Sequence, residues 1–464
     1  MRMNWDRLLN GYRFRSHSMK RSGLDGRDEF EGDYSRVVFS SALRRLQDKS
    51  QVFPYDKCDF VRTRLTHSLE VSAIGRSLGA SVENLLLKKE GDEFIKNHKG
   101  KIGNILATLG LLHDLGNPPF GHFGEIAIQE FFKKLFKSNK RYFSKMTEGE
   151  RKDFKNFEGN AQCFRLITRL QYLIDENGFN LTFGTLASSL KYPCSSLAIN
   201  DESVSFKKIG YFQSEEKKIE RIKEVTGIVD CRHPIAFLLE AADDIAYSAA
   251  DIEDGLKKKI LNLEKIRSVF KETLEKRTAR ETGILESLDG YLLEVHEKYE
   301  EKEEIAVQRF RIKAQAYMIE SVVKAFNENY EEIMNGRFDK ELLEVSEAKK
   351  VRHAFKKLAT KYVFKDKSIL TRELVGGKAI RGLLKLFVES VLSDDRIKSK
   401  TRAGKLYSLI SDNYRFISEN YPHRKKNETT PSIYDRLLLV TDFVCGMTDT
   451  YALDLFQTLS GMRL

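Results

Sequence analysis

The sequence predicts a mainly α fold with few short strands, and three observations predict it. Apolar residues recur at helical spacing: Leu65, Leu69, Ile74, Leu78, Val82 and Leu86 trace one face, and Ile102, Ile105, Leu106, Leu109 and Leu112 another. Proline is scarce, with seven in 464 residues and none between Pro234 and Pro422. Such a stretch suits long helices, because proline removes a backbone donor and clashes inside a helix. Alternating patterns are weak, and the short strand candidates are 182–185 and 203–207.

Composition bounds the class. Hydrophobic residues make up 41% and charged residues 32%, the balance of a soluble globular protein. No apolar run is long enough to span a bilayer, and no apolar leader accompanies Arg2, Arg7, Arg13 and Arg15, so neither a membrane span nor a signal peptide is expected. The five cysteines, Cys58, Cys163, Cys194, Cys231 and Cys445, are scattered and form no CxxC pair. That fits a reducing cytoplasm and argues against a disulfide framework or a structural zinc site. The net charge of +11 points to anionic partners, either polyphosphates or nucleic acid. Most of this charge is interleaved with acid, as in 257–276, which is how a solvated helix face reads. The segment 13–21, with Arg13, Arg15, Lys20 and Arg21, is more purely basic and suits contact with phosphate or a neighbouring subunit. No Gly-rich loop ending in GK[ST] occurs, which argues against a P-loop NTPase.

The chain divides into a basic N-terminal segment 1–35, a core 36–255, and a helical C-terminal region 256–464. The soft boundary lies near 256, where an apolar helix gives way to alternating charge. The polar, Lys-rich stretch 137–156 is expected to be a mobile insertion.

Three elements carry chemistry. An apolar helix runs into His113-Asp114 and stops at Gly116 and Pro118. At a helix end the two side chains can converge on one divalent ion, although His113 also suits a helix C-terminus, where positive charge is favoured. A second apolar helix supplies His67, between its apolar and polar faces, where a satisfied core histidine is the alternative. The third is the apolar helix opening at Pro234, which carries Asp243, Tyr247 and Asp251 along one face. The small residues Ala242, Ala246, Ala249 and Ala250 argue for close packing. A buried acidic stripe needs a metal, a base or a ligand; a solvent-facing stripe does not.

Taken together these motifs are recognisable. His67, His113-Asp114 and Asp243 match the His…His-Asp…Asp signature of the HD superfamily. The flanking segments Gln51-Val52-Phe53-Pro54, Arg64-Leu65-Thr66-His67-Ser68, Asn117-Pro118-Pro119-Phe120-Gly121-His122, Phe157-Glu158-Gly159-Asn160, Leu190-Lys191-Tyr192-Pro193, Glu240-Ala241-Ala242-Asp243-Asp244 and Gly446-Met447-Thr448-Asp449 resemble the dGTPase-like dNTP triphosphohydrolases in order along nearly the whole chain. The resemblance implies an HD-domain helical core with a large helical C-terminal elaboration. It also implies a cytoplasmic homo-oligomer, hexamer or tetramer, that hydrolyses deoxynucleoside triphosphates, dGTP among them, to deoxynucleoside and tripolyphosphate. It leaves room for single-stranded nucleic acid as a second ligand.

Carried over by position, His67, His113, Asp114 and Asp243 match metal ligands, and His122 and Glu125 a catalytic pair. Arg64, Lys191, Tyr192 and Lys208 match phosphate contacts, with Lys208 in a motif of altered spacing. Tyr247 and Asp251 match the deoxyribose contacts, and Gln51 lies near the nucleoside. The nitrogen and oxygen ligands suit one divalent ion, with Mn²⁺ first and Mg²⁺, Fe²⁺, Co²⁺ and Ni²⁺ as alternatives. If a helix opens near Gly121, His122 and Glu125 are neighbours on one face, as a catalytic pair or as a structural one. Another HD-type nucleotide phosphohydrolase or phosphodiesterase would share the ligand set. A nucleic-acid-binding or nucleotide-sensing HD protein would show eroded ligands, and all four are present here.

Overall fold

The computed structural model describes residues 2–15, 24–54, 58–171, 173–296, 298–423 and 431–462. The helices that frame the site are α1 (Glu29–Val38), α2 (Arg64–Glu90), α3 (Lys101–Leu112), α4 (Gly121–Ser138), α5 (Glu148–Lys155), α6 (Pro234–Lys257), α7 (Lys302–Glu328), α8 (Lys367–Leu392), α9 (Ile433–Cys445) and α10 (Asp449–Leu459). No strand occurs among the described residues; β pairing there is an isolated bridge between Ser50 and Thr63. The fold is mainly α, as the periodicity predicts.

The helix ends follow from local chemistry. Thr63 caps α2 by accepting from the Thr66 N–H, and Gly91 ends that helix with a φ of 84°. Pro234 opens α6 where a missing N–H costs nothing, and the His233 ring accepts from the Ile235 N–H at 3.1 Å. Burial pushes the His233 pKa down to about 3, so the cap stays neutral.

Two strand candidates are corrected. Thr182 caps the helix Phe183–Ser189, accepting from the Thr185 N–H, so the spacing read as alternation is that of a helix cap. Residues 203–207 form turns held by Asp339, which accepts from the Val204 and Ser205 N–H groups. The 137–156 stretch is also corrected: α5 lies within it, and Phe143, Met146 and Phe154 are buried. Its polar composition hid this apolar anchor. In the basic segment, Arg13 is buried against Asp33 at 2.5 Å and Arg15 pairs with Asp175 at 2.7 Å. Both serve the fold, while Lys20 and Arg21 lie outside the described residues.

Packing brings the site together. Helices α2 and α3 lie in extended contact, α6 packs across α2 and against α7, and α8 packs on α4, α9 and α10. The α2–α3 contact is backbone against backbone at one point: a Cβ on Gly79 would sit 2.6 Å from the Gly103 Cα. Gly79→Val should therefore destabilise the protein by roughly 1–3 kcal/mol, the usual cost of overpacking. Thermal denaturation reads this as a lowered Tm; an unchanged Tm would mean that the helices do not meet there.

Candidate active site

Three helices deliver His67, His113 and Asp243 to one point. His67 stands in the first turn of α2, His113 follows the last turn of α3, and Asp243 lies within α6. Ligand atoms of all three lie within 4.8 Å of one another. The His67 Nε2 is 3.1 Å from the Asp243 Oδ1, and the His113 Nε2 is 3.6 Å from the same oxygen. The His113 Nδ1–H donates to the Gly110 carbonyl at 2.8 Å, which leaves the Nε2 as a lone pair, buried and without a hydrogen-bond partner. Two acceptors thus face each other, the arrangement a cation resolves. Burial alone would lower the His67 pKa and raise that of Asp243. The contacts reverse both: the Asp243 carboxylate raises His67, and the imidazoles, when protonated, hold Asp243 well below the usual carboxylate range. This donor set fits a divalent ion.

Asp114 adjoins the group, 3.6 Å from the His113 Nε2. Its two oxygens accept from Arg64 Nη1 at 2.5 Å and from Asn117 Nδ2 at 2.6 Å. Burial is the largest influence and opposes its charge, but Arg64, His113 and His67 together outweigh it and keep its pKa low. Arg64, read from the sequence as a phosphate contact, is thus already bonded to this carboxylate.

The loop after Asp114 ends in two consecutive left-handed residues, Phe120 (φ 63°) and Gly121 (φ 57°). For a residue with a Cβ this conformation costs about 1–2 kcal/mol. The turn starts α4, whose first residues include His122. The His122 Nδ1–H donates to the Glu125 Oε2 at 2.9 Å, and the Glu125 Oε1 accepts from the Gly159 N–H at 2.7 Å. The bond to Glu125 raises the His122 pKa; Lys208 opposes it and Glu158 assists it, and His122 in turn acts on Glu373. The Glu125 carboxylate is buried and the His122 ring is largely exposed.

A narrow cavity of about 190 Å³ joins these parts, lined by His113, Asp114, Asp243, Glu125, Lys191 and Lys208 among others. Lys191 lies 3.4 Å from Glu240, whose charge raises the lysine pKa against its burial. Lys208 pairs with Glu158. The altered spacing before Lys208 does not keep it from the cavity. Tyr192 stands outside the lining, its buried ring centred 5.8 Å from the Lys191 ammonium and 5.4 Å from the Arg232 guanidinium. Gln51 has a buried Oε1 without a hydrogen-bond partner. Tyr247 and Asp251 continue along α6 beyond Asp243; burial pushes Asp251 up to about 7, with His67 opposing.

Sequence reasoning missed several residues. Arg232, fully buried, donates to Glu240 at 2.6 Å and to the Val204 carbonyl. Arg352 reaches Asp244 at 2.5 Å from far along the chain. Lys49, buried, donates to the carbonyls of Asn117 and Cys445 at 2.6 and 2.7 Å. The signal available for Arg232 and Arg352 was the acid on α6, which demands cations without saying which.

The HD-domain family profile matches residues 64–179, a span that includes His67, His113 and Asp114 and ends before Asp243. The chain is 43% identical to a deoxyguanosinetriphosphate triphosphohydrolase-like protein of Listeria innocua, over 99% of this chain and 100% of the relative. It is 34% identical to a protein of the same description from Synechocystis sp. over the full length of both. It is 31% identical to a deoxyguanosinetriphosphate triphosphohydrolase of Klebsiella pneumoniae, over 100% of this chain and 98% of the relative. No described helix is long and apolar enough to cross a membrane.

An ion bound only by the folded site stabilises it by mass action, by about 2.7 kcal/mol at a hundred times its Kd. Adding Mn²⁺ to chelator-treated protein should raise the Tm, and Asp243→Asn should abolish the rise while His122→Ala keeps it. A wild-type Mn²⁺ response in Asp243→Asn would remove Asp243 from the ligand set.

Proposed function

This chain belongs to the HD-domain, deoxyguanosinetriphosphate triphosphohydrolase-like family, and we propose on that premise that it hydrolyses deoxynucleoside triphosphates, dGTP among them, to deoxynucleoside and tripolyphosphate. The observation that carries the reading is one cavity that gathers His113, Asp114 and Asp243 with the cations Lys191 and Lys208 and the carboxylate that orients His122. Cations beside a metal-type donor set suit a polyphosphate.

His67, His113, Asp114 and Asp243 would hold one divalent ion, Mn²⁺ first among the candidates. When bound, such an ion supplies Lewis-acid stabilisation of phosphoryl charge and a lowered pKa for water. Lys191, Lys208 and Arg64 hold the triphosphate and offset charge that grows in the transition state. Arg64 does so while bonded to Asp114, which aligns its guanidinium. Water adds to the α-phosphorus, its proton passing to solvent, and the bond from phosphorus to the nucleoside 5′-oxygen breaks. That oxygen takes a proton from the His122 Nε2. The bond from Nδ1 to Glu125 fixes the imidazole and keeps it protonated to higher pH, which suits a general acid near neutrality. Tyr247 and Asp251 border the deoxyribose, and Gln51 lies near the nucleoside. A carboxylic group near pH 7 in pKa bonds a sugar hydroxyl in either protonation state. The chain is read as a basic segment 1–35, an HD core 36–255 and a C-terminal region 256–464 that closes the site, since α8 packs on α4.

Incubation with dGTP and Mn²⁺ in ¹⁸O-water should yield deoxyguanosine without label and tripolyphosphate carrying one ¹⁸O. Formation of dGMP and pyrophosphate would overturn the reading in favour of another HD phosphohydrolase. His122→Ala should lose about 10²–10⁴-fold in kcat, the usual contribution of a general acid. In the native enzyme kcat should fall as pH rises through the His122 pKa, above its ordinary 6.5. Glu125→Gln removes the charge that raises that pKa, so the fall should move to lower pH. A pH profile identical to wild type in Glu125→Gln would separate His122 from the proton transfer.

A further inference from the structure

The segment Gly446-Met447-Thr448-Asp449 has no part in the chemistry above, yet Asp449 is buried against the loop that aims His122. Its Oδ1 accepts from the Phe120 N–H at 2.9 Å, and its Oδ2 from the Ser50 N–H at 3.0 Å and from the Ser50 hydroxyl. Phe120 is the left-handed residue at the start of α4, and no side chain of its own caps that helix. The neighbouring bonds follow the same plan. Lys49 ties the Asn117 carbonyl, in the same loop, to the Cys445 carbonyl at the end of α9. The Phe120 ring is buried against α8 at Gly376, where a Cβ would collide with it. Two distant parts of the chain therefore meet directly on Phe120, Asp449 of α10 and Gly376 of α8, and residues 49–50 brace them from beside the loop, Lys49 through the Asn117 carbonyl and Ser50 through Asp449.

We propose that Asp449 is a positioning residue for His122: by accepting the Phe120 N–H from the first turn of α10, it holds the left-handed turn that sets the direction of the His122 side chain. The proposal rests on the reading of His122 as the proton donor. A peptide in a sparsely populated conformation persists only when its surroundings over-determine it. Here the anchor is a carboxylate from a helix that contributes nothing to the metal-type donor set. Removing the acceptor leaves a buried N–H unmet and lets the turn relax, which moves the imbalance to the next residues, Gly121 and His122.

The test is Asp449→Ala, alone and in the His122→Ala background, assayed with dGTP and Mn²⁺. A displacement of about 1 Å in a reacting group can cost on the order of 10²-fold. The expected result is a kcat lowered about 10–100-fold, a KM for dGTP within about threefold, and unchanged Mn²⁺ content. In the His122→Ala background the further loss should vanish. Histidine-labelled NMR should show the His122 pKa falling toward its ordinary value as the bond to Glu125 loosens. A loss of equal size in both backgrounds would make Asp449 a general structural residue and overturn the proposal, as would an unchanged kcat and His122 titration. Should Asp449→Ala fail to fold, the near-isosteric Asp449→Asn carries the test. It keeps one acceptor oxygen where the carboxylate met three donors with two, and should give a loss of about 3–10-fold that vanishes without His122; no loss, or one that persists, would overturn the proposal. If His122→Ala itself turns over normally, the catalytic reading fails separately, and the His122 titration in Asp449→Ala still decides the positioning role.

Discussion

A carboxylate buried in a helical core meets positive charge or tends to take up a proton, as burial drives Asp251 to do, and α6 buries several. Glu240, Asp243, Asp244, Glu253 and Asp254 all lie along it. Lys191 and Arg232 answer Glu240, His67 and His113 answer Asp243, and Arg352 answers Asp244. Arg62 reaches both Glu253 and Asp254, and Arg311 assists at Glu253. Breaking a buried pair of this kind costs about 3–5 kcal/mol, so each match constrains where its partner element runs. The arrangement around α6 is to that extent dictated by charge pairing. Asp243 differs from the rest in its partners: they are imidazoles, which bind a metal as readily as they share a proton.

The loop from Asp114 to His122 shows a second constraint, that of direction. Asp114 faces Arg64 and Asn117, and the chain then reverses through Phe120 and Gly121 to start α4. A Cβ at Gly121 would fall 2.5 Å from Arg64 Nη2, so the same residue that permits the turn also leaves room for the guanidinium. Asp114, beside the donor set, and His122 are joined by a segment with little freedom to separate them.

Much of the site was legible because its signals are local. Helical spacing put Asp243, Tyr247 and Asp251 on α6, a His-Asp pair marked the end of α3, and a three-residue offset paired His122 with Glu125. What was not legible depends on distant contacts. Nothing near Arg232, Arg352 or Lys49 announces that each enters a buried network, because their partners come from other segments. The strand candidates failed for a related reason: a few alternating residues mean little without a neighbouring strand, and Thr182 instead found a helix to cap. In 137–156 the count of lysines outweighed three aromatic or apolar anchors whose burial only the packing reveals.

The partners of α6 lie on both sides of it in the chain. Arg62 and Lys191 precede it, while Arg311 and Arg352 follow it by scores of residues. During synthesis the helix is therefore complete long before Arg352 leaves the ribosome, and until then Asp244 has no guanidinium to meet. The boundary near 256 consequently marks a change in composition that the ion pairs of α6 cross.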